Sequence, residues 1–183
     1  HWGLDQKDEA LANLRKGFVL SPTIPDVSSL YFSVVSSLGM YGDAEADFRN
    51  ASKLYSNNKN IAFLYIEILI RQEKFSLAMI EIENSLASFG LDEGILDAAL
   101  AIRNKVGLLE IKEGAKKNTL SLCMIVKNEE KNIAKCLKSV RDIVDEMIVV
   151  DTGSTDKTID IARIFGAKTF EFPWTGDFSA ARN

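Results

Sequence analysis

The 183-residue sequence predicts a chain of two classes in series: an α-helical repeat array over residues 1–112 and a parallel α/β unit over 119–183, joined by a polar linker at 113–118. Three observations carry that reading. Alanines recur at Ala10, Ala44 and Ala78, 34 residues apart, inside stretches of helical period. The period then changes at Leu120–Val126, an almost unbroken apolar run. Finally, "MIVVDTGSTDKT" at Met147–Thr158 drives an apolar strand straight into an acid and a turn of small polar residues.

In chain order, helices are expected at Asp5–Val19, Asp26–Ser37, Gly42–Tyr55, Ile61–Glu73, Phe75–Phe89 and Glu93–Lys112. The breaks fall at Pro22 and Pro25, Gly39, Asn57-Asn58, Gly90 and Gly94, residues that stop helices or turn the chain. Four residues beyond each periodic alanine stands a large apolar residue, Leu14, Phe48 or Ile82; three further on stands a small one, Gly17, Ala51 or Ser85. In the preceding helices Leu30, Tyr31, Phe32 and Val35 fall in register with Leu64, Tyr65, Ile66 and Leu69, and Tyr41 matches Phe75. Small residues let helices approach and large ones fill the groove between pairs. One pair cannot bury both of its faces, so stacked pairs share a core.

This small–large–small pattern at a period of 34 resembles the tetratricopeptide repeat. The array is degenerate, with two full repeats and two halves. Pro22 closes the first unit, but Ser56 and Gly90 stand where the later units would carry Pro, and Phe32 or Ile66 stands where the first helix would be small. The resemblance implies a concave surface for a peptide, protein or glycan; the plainer alternative is a structural extension. Tyr31 and Tyr65 fit either reading, as groove lining or as core.

Beyond the linker, Leu120–Val126 reads as a strand buried on both faces. Glu130–Val140 reads as a helix burying Ile133, Cys136, Leu137 and Val140. Met147–Val150 is a second buried strand. Thr155–Phe165 is a helix burying Ile159, Ala162 and Phe165, ended by Gly166, and Lys168–Phe172 is a third strand before Pro173. Strand–helix–strand–helix–strand at this spacing is a parallel unit with right-handed crossovers.

Composition removes several functions. Lys plus Arg is 22 against 26 for Asp plus Glu, a formal charge of −4, and the basic residues are scattered. That disfavours nucleic acid and anionic membranes as partners. No apolar run reaches the ~18 residues of a transmembrane helix, and no signal segment opens the chain. Cys123 and Cys136, the two cysteines, sit in apolar stretches and read as reduced structural thiols of a cytoplasmic protein. With His1 the sole histidine, neither a His-based triad nor a His-rich metal site can be built. Asn50-Ala51-Ser52 fits a glycosylation acceptor but falls in a helix.

In open parallel sheets, ligands bind beyond the carboxyl ends of the strands. Those ends carry Lys127-Asn128-Glu129-Glu130 and Asp151-Thr152-Gly153-Ser154. Asp151 sits at the sheet's mouth, where a carboxylate can accept from a ribose hydroxyl or a base N–H. Thr152 and Gly153 turn the chain, Ser154 is placed to cap the next helix, and that helix start offers free N–H groups. Neither G-x-G-x-x-G nor G-x-x-x-x-G-K-[ST] is present, which disfavours nicotinamide dehydrogenases and P-loop NTPases.

"LSLCMIVKNEEKNIAKCLKSV", "DEMIVVDTGSTDKTIDIA" and "FPWTGDFSAARN", in this order and spacing, resemble the opening βαβαβ part of an inverting family-2 glycosyltransferase of the GT-A (Rossmann-like) fold. More narrowly they resemble members that carry tetratricopeptide repeats. The likeness covers Thr119–Asn183. It implies a nucleotide-sugar donor, most often UDP-linked, surrounded by Ile125, Val126 and Lys127, by Glu129, and by Asp151, Thr152 and Gly153, with Arg182 and Asn183 matching the family's Ala-Arg-Asn stretch. Many relatives have a second acid where this chain has Thr152. For Glu130 the preferred role is favourable charge at a helix N-terminus.

The resemblance also implies a divalent metal, Mg or Mn, held by an Asp-x-Asp-type motif that stabilises the departing diphosphate. That motif and the catalytic base are expected beyond Asn183, so little transfer and no bound metal are expected from these residues alone. The competing reading is a non-enzymatic scaffold whose repeats hold a partner protein beside an inert α/β remnant.

Overall fold

A computed structural model describes residues 4–107 and 120–182. The linker at 113–118 lies outside the described residues. Six helices come first: α1 (Leu4–Leu20), α2 (Pro25–Leu38), α3 (Tyr41–Leu54), α4 (Lys59–Arg71), α5 (Phe75–Phe89) and α6 (Glu93–Val106). They are followed by β1 (Ser121–Val126), α7 (Ile133–Val140), β2 (Glu146–Asp151), α8 (Thr158–Ile164), β3 (Lys168–Glu171) and α9 (Phe178–Arg182). Helical repeats followed by a parallel strand–helix–strand–helix–strand unit is the architecture the sequence predicts. By contacts the chain divides into two compact units, His1–Glu81 and Ile82–Asn183, so the division falls within α5.

The first unit repeats at the level of single hydrogen bonds. After α2 the Gly39 N–H bonds to the Ser36 carbonyl and the Met40 N–H to that of Val35. After α4, 34 residues on, the Glu73 N–H bonds to Ile70 and the Lys74 N–H to Leu69. Both turns are Schellman closures whose pivot has positive φ, +69° at Gly39 and +57° at Glu73. The Glu side chain occupies a backbone state suited to glycine, a local cost of roughly 1–2 kcal/mol. At the other ends of the pairs, the Ser21 N–H reaches Gly17 as the Tyr55 N–H reaches Ala51. Pro25 opens α2 at its first turn, where its missing N–H costs nothing, and Asn58 caps α4 by accepting from the Ile61 N–H (3.1 Å).

The periodic residues form the core. Ala44 and Ala78 are buried, and Phe48 is wholly enclosed by ring contacts to Phe18 (4.4 Å), Tyr31 (5.5 Å, parallel) and Phe32 (edge-on, 6.2 Å). Gly17 faces Val27 of α2, where a Cβ would make an ordinary van der Waals contact at 4.0 Å. Tyr31 and Tyr65 are 3% and 5% exposed and belong to this core, which decides the tyrosine question for packing. The Tyr31 hydroxyl donates to Asp47 (2.9 Å), which also accepts from Arg15 (2.6 Å), so the ring is apolar at its base and satisfied at its tip.

In the second unit, α6 stops at Val106 rather than running to Lys112. Gly107 follows at φ +87° and its N–H returns to the Arg103 carbonyl. Arg103 is almost fully buried. Its guanidinium donates to the Ile164 carbonyl at the end of α8 (2.7 Å), to the Gly107 carbonyl (3.1 Å) and to Glu83 (2.5 Å), while Arg141 approaches the second Glu83 oxygen (3.4 Å). Burial pushes the Glu83 carboxyl up and the Arg103 guanidinium down from their ordinary values, against the attraction of the pair.

The sheet is parallel throughout, in the order β1-β2-β3, with Val126 opposite Asp151 and Asp151 opposite Glu171. Right-handed crossovers between neighbouring strands place α7 and α8 on the same face. On that side lie the buried Val126, Met147, Val149, Ile133, Leu137, Ile161, Ala162, Ile164 and Phe165. Burial therefore alternates along β2, and on β1 only Val126 is buried, which corrects the expectation that β1 is covered on both faces. Cys136 is exposed where a buried position was expected, Ala134 lies inward instead, and Ile159 is only half-buried beside Ile161. Cys123 is exposed as well, and both thiols are free.

Candidate functional site at the mouth of the sheet

Two loops leave the carboxyl end of the sheet: Lys127–Asn132 after β1 and Thr152–Lys157 after β2. Both helices that follow start three residues later than their apolar period predicts, α7 at Ile133 and α8 at Thr158. The reason is where the loops spend their polar groups.

The Asp151 carboxylate, 6% exposed, turns back on its own loop. It accepts from the Ser154 hydroxyl (2.5 Å), from the Ser154 N–H (3.0 Å) and from the Gly153 N–H (3.3 Å), an Asx-type turn. Ser154 is thus a partner of Asp151 and not the cap of α8, which corrects the expected role. Thr152 is also buried, its N–H and hydroxyl both donating to the Val126 carbonyl (3.0 Å each), so it clasps β1 to β2. Gly153 is exposed at φ +103°, and a Cβ placed there would meet nothing within 4 Å.

The loop after β1 is bonded to the loop after β2. Three successive backbone N–H groups donate across the gap: Asn128 to the Ser154 hydroxyl (2.8 Å), Glu129 to the Thr158 hydroxyl (2.7 Å) and Glu130 to Asp156 (3.2 Å). In return the Asn128 side-chain oxygen accepts from the Thr155 N–H (2.8 Å) and the Glu130 carboxylate from the Lys157 N–H (2.9 Å). Asn128 can do this because its φ is +54°, a left-handed state that Asn tolerates better than most residues. Glu130 therefore places its charge at a helix N-terminus, that of α8. The amides expected to be free at that start are taken by Glu130 and by Asp156, which accepts from the Thr158 N–H (3.0 Å) and hydroxyl (2.5 Å). Burial raises the Asp156 carboxyl, but the bonds from Thr158 and the Glu130 amide outweigh it and hold the group below its ordinary value.

On the face of the sheet away from α7 and α8, a groove of about 650 Å³ is walled by Ile125, Cys123, Met124, Ile148, Val150, Ser179 and Ala181. Its size is that of a small-molecule site. The structure thus brings Ile125 and α9, the helix that contains Arg182, to one groove, with Lys127 and Gly153 exposed at the strand ends. Val126 is buried and faces the other way. Glu129 is exposed, its carboxylate accepting from Asn132 (2.9 Å). Asn183 lies outside the described residues. The short helix α9 has no counterpart in the expected elements; its signal was Asp177, whose carboxylate accepts from the Ser179 N–H (2.8 Å). Asn128, Asp156 and Thr158 were likewise missed as a set. Asn before a pair of acids was the visible cue, but nothing in the spacing names its partners.

Comparison with known proteins fits this architecture. Residues 121–183 match the family described as glycosyl transferase family 2. The chain therefore joins helical repeats to a segment that is similar to glycosyl transferase family 2. A repeat-containing protein of Synechococcus elongatus, named for its TPR repeats, is 54% identical over 70 residues, 38% of this chain and 17% of that protein. A glycosyltransferase of Rickettsia typhi, named as uncharacterised, is 51% identical over 57 residues, 31% of this chain and 20% of the relative. The prophage-derived glycosyltransferase SunS of Bacillus subtilis is 44% identical over 73 residues, 36% of this chain and 16% of its own length. The alignments thus span a fifth or less of these relatives. No solved structure matches.

Proposed function

We propose that the chain is the repeat-bearing, donor-binding part of a cytoplasmic inverting glycosyltransferase that takes a nucleotide-sugar, UDP-linked, and uses its helical repeats to position a peptide, protein or glycan acceptor. The observation that carries the reading is the coincidence of the family match over 121–183 with a groove on the open face of a parallel sheet and two hydrogen-bonded loops at the sheet's carboxyl end. The groove beside Ile125 suits a flat base, and the exposed ammonium of Lys127 suits a diphosphate. Arg182 and Asn183 complete the nucleotide set in this reading.

Asp151 contributes in one of two ways that differ in chemistry. Its carboxylate is saturated by Ser154 and Gly153, so a nucleotide that bonded to it would displace a loop donor; otherwise Asp151 acts by holding the loop in shape. In transfer, a base takes the proton of an acceptor hydroxyl, whose oxygen attacks the anomeric carbon in line and inverts it as the nucleoside diphosphate leaves. The family likeness supplies a divalent metal to offset charge on that leaving group. Among the described residues no group of three or more His, Cys, Asp or Glu side chains is placed to hold one. Nor is any helix among the described residues long and apolar enough to cross a membrane.

The test is a thermal-shift panel of nucleotides and nucleotide-sugars with and without Mn²⁺, on the parent, Asp151→Ala and Lys127→Ala. Stabilisation by UDP or a UDP-sugar that both variants reduce is the expected result. A well-folded parent that responds to no nucleotide would leave the scaffold reading in its place.

A further inference from the structure

The donor-binding reading assigns work to Lys127, Asp151 and their neighbours but none to Asn128, Asp156 and Thr158, whose polar atoms are committed to one another's loops. We propose that Asn128 and Asp156 are positioning residues for the donor nucleotide: together with Ser154 and Thr158 they form a latch that makes the loops after β1 and β2 one rigid rim. The inference rests on the donor-binding reading and deepens it.

Six bonds cross between the loops, joining residues 26 to 29 apart in sequence. Five run from backbone to side chain, three donated by the first loop and two by the second, so neither loop can shift along the other without breaking several at once. The run is continuous with the mouth. The Asn128 N–H donates to the Ser154 hydroxyl, and that hydroxyl donates to Asp151. The position of the Asp151 turn, and of the open edge at Gly153, is therefore fixed from the opposite loop. The neighbouring Lys127 is fixed by the same bonds through the backbone of Asn128.

None of these residues need touch the ligand. The three amides at Asn128, Glu129 and Glu130 are occupied by Ser154, Thr158 and Asp156. Their task is to hold Lys127 and Gly153 at a set separation, which matters because small misplacements of a binding group are costly.

The experiment is a calorimetric titration of the chain with UDP, paired with amide hydrogen exchange. Asn128→Gly keeps the left-handed backbone and removes the acceptor; Asn128→Asp keeps an acceptor oxygen; Asp156→Ala removes the second anchor. We expect Asn128→Gly and Asp156→Ala each to weaken UDP by ~10-fold or more. Exchange at the Thr155 and Glu130 amides should speed up in the same two variants, with melting temperatures close to the parent's. Asn128→Asp should bind within about threefold of the parent, since the bond to the Thr155 N–H survives. Ser154→Ala, which cuts the relay to Asp151 without altering either anchor, should give an intermediate loss. Parent-like UDP affinity in Asn128→Gly and Asp156→Ala, with faster exchange at Thr155, would overturn the latch's role while leaving donor binding intact. A folded parent that binds no UDP would overturn the donor-binding reading, and the inference with it.

Discussion

The helical repeats of the first unit and the loops at the mouth of the sheet are held by opposite means. In the repeats, cohesion comes from excluded water: Phe18, Tyr31 and Phe48 stack behind buried alanines, and the polar groups sit at the rim. In the loops, cohesion comes from hydrogen bonds between short polar side chains and the opposite backbone, with little apolar area involved. Packing spreads its energy over many weak contacts, so a lost group costs in proportion to its volume. A hydrogen-bonded latch concentrates its effect in geometry, and its loss changes shape before it changes stability. The Glu83–Arg103–Arg141 cluster lies between these extremes, buried like a core yet bonded like a loop.

That contrast is tested most severely by Phe48→Ala, which should cost ~4 kcal/mol, since a fully enclosed phenyl ring leaves a cavity that the surrounding helices fill only in part. Urea unfolding followed by far-ultraviolet circular dichroism measures it. Arg103→Ala should follow at ~3 kcal/mol, because it strands the Glu83 carboxylate and the Ile164 carbonyl. The same cluster has a pH signature. Burial raises the folded-state value of Glu83, so its contribution is fully present below its unfolded value and is lost as pH rises through the folded one. Asp156, held low, behaves oppositely: its contribution is present above its unfolded value and is lost as pH falls through the folded one. Denaturation curves of Glu83→Gln and Asp156→Asn against the parent across acid pH should show slope differences of opposite sign. The smallest effect is a gain. Glu73→Gly, which puts at this pivot the residue that Gly39 supplies one period earlier, should stabilise the first unit by about 1 kcal/mol, read as a higher midpoint in urea.

The same contrast explains what was legible in the sequence. Packing imposes a period, and a period can be read: Ala44, Phe48, Ala51 and Ala78 were identifiable as core before any coordinates, and so was the order of strands and helices. Burial on one face of β1 and β2 was not legible, because Cys123, Ile125, Ile148 and Val150 are as apolar as the residues that face α7 and α8. The loop latch has no period at all. Asn128 and Thr155 are joined only because Val126 lies opposite Asp151 in the register of the sheet. For that reason Ser154 was expected to cap a helix that starts four residues later, and the amides of α8 were expected to be open when carboxylates already hold them. The Arg103 contact with α8 escaped for the same reason, since one arginine near the end of a helix carries no sign of the carbonyl it will meet.

In the proposed function the rim built by these loops holds a nucleotide. A titration of the isotopically labelled chain with UDP, followed by amide resonances, tests it most directly. Saturable shifts are expected at Ile125–Glu130 and Asp151–Thr158, with those of α1 to α4 unmoved. Resonances that stay in place at both loops in a folded chain, or shifts confined to the helical repeats, would contradict it.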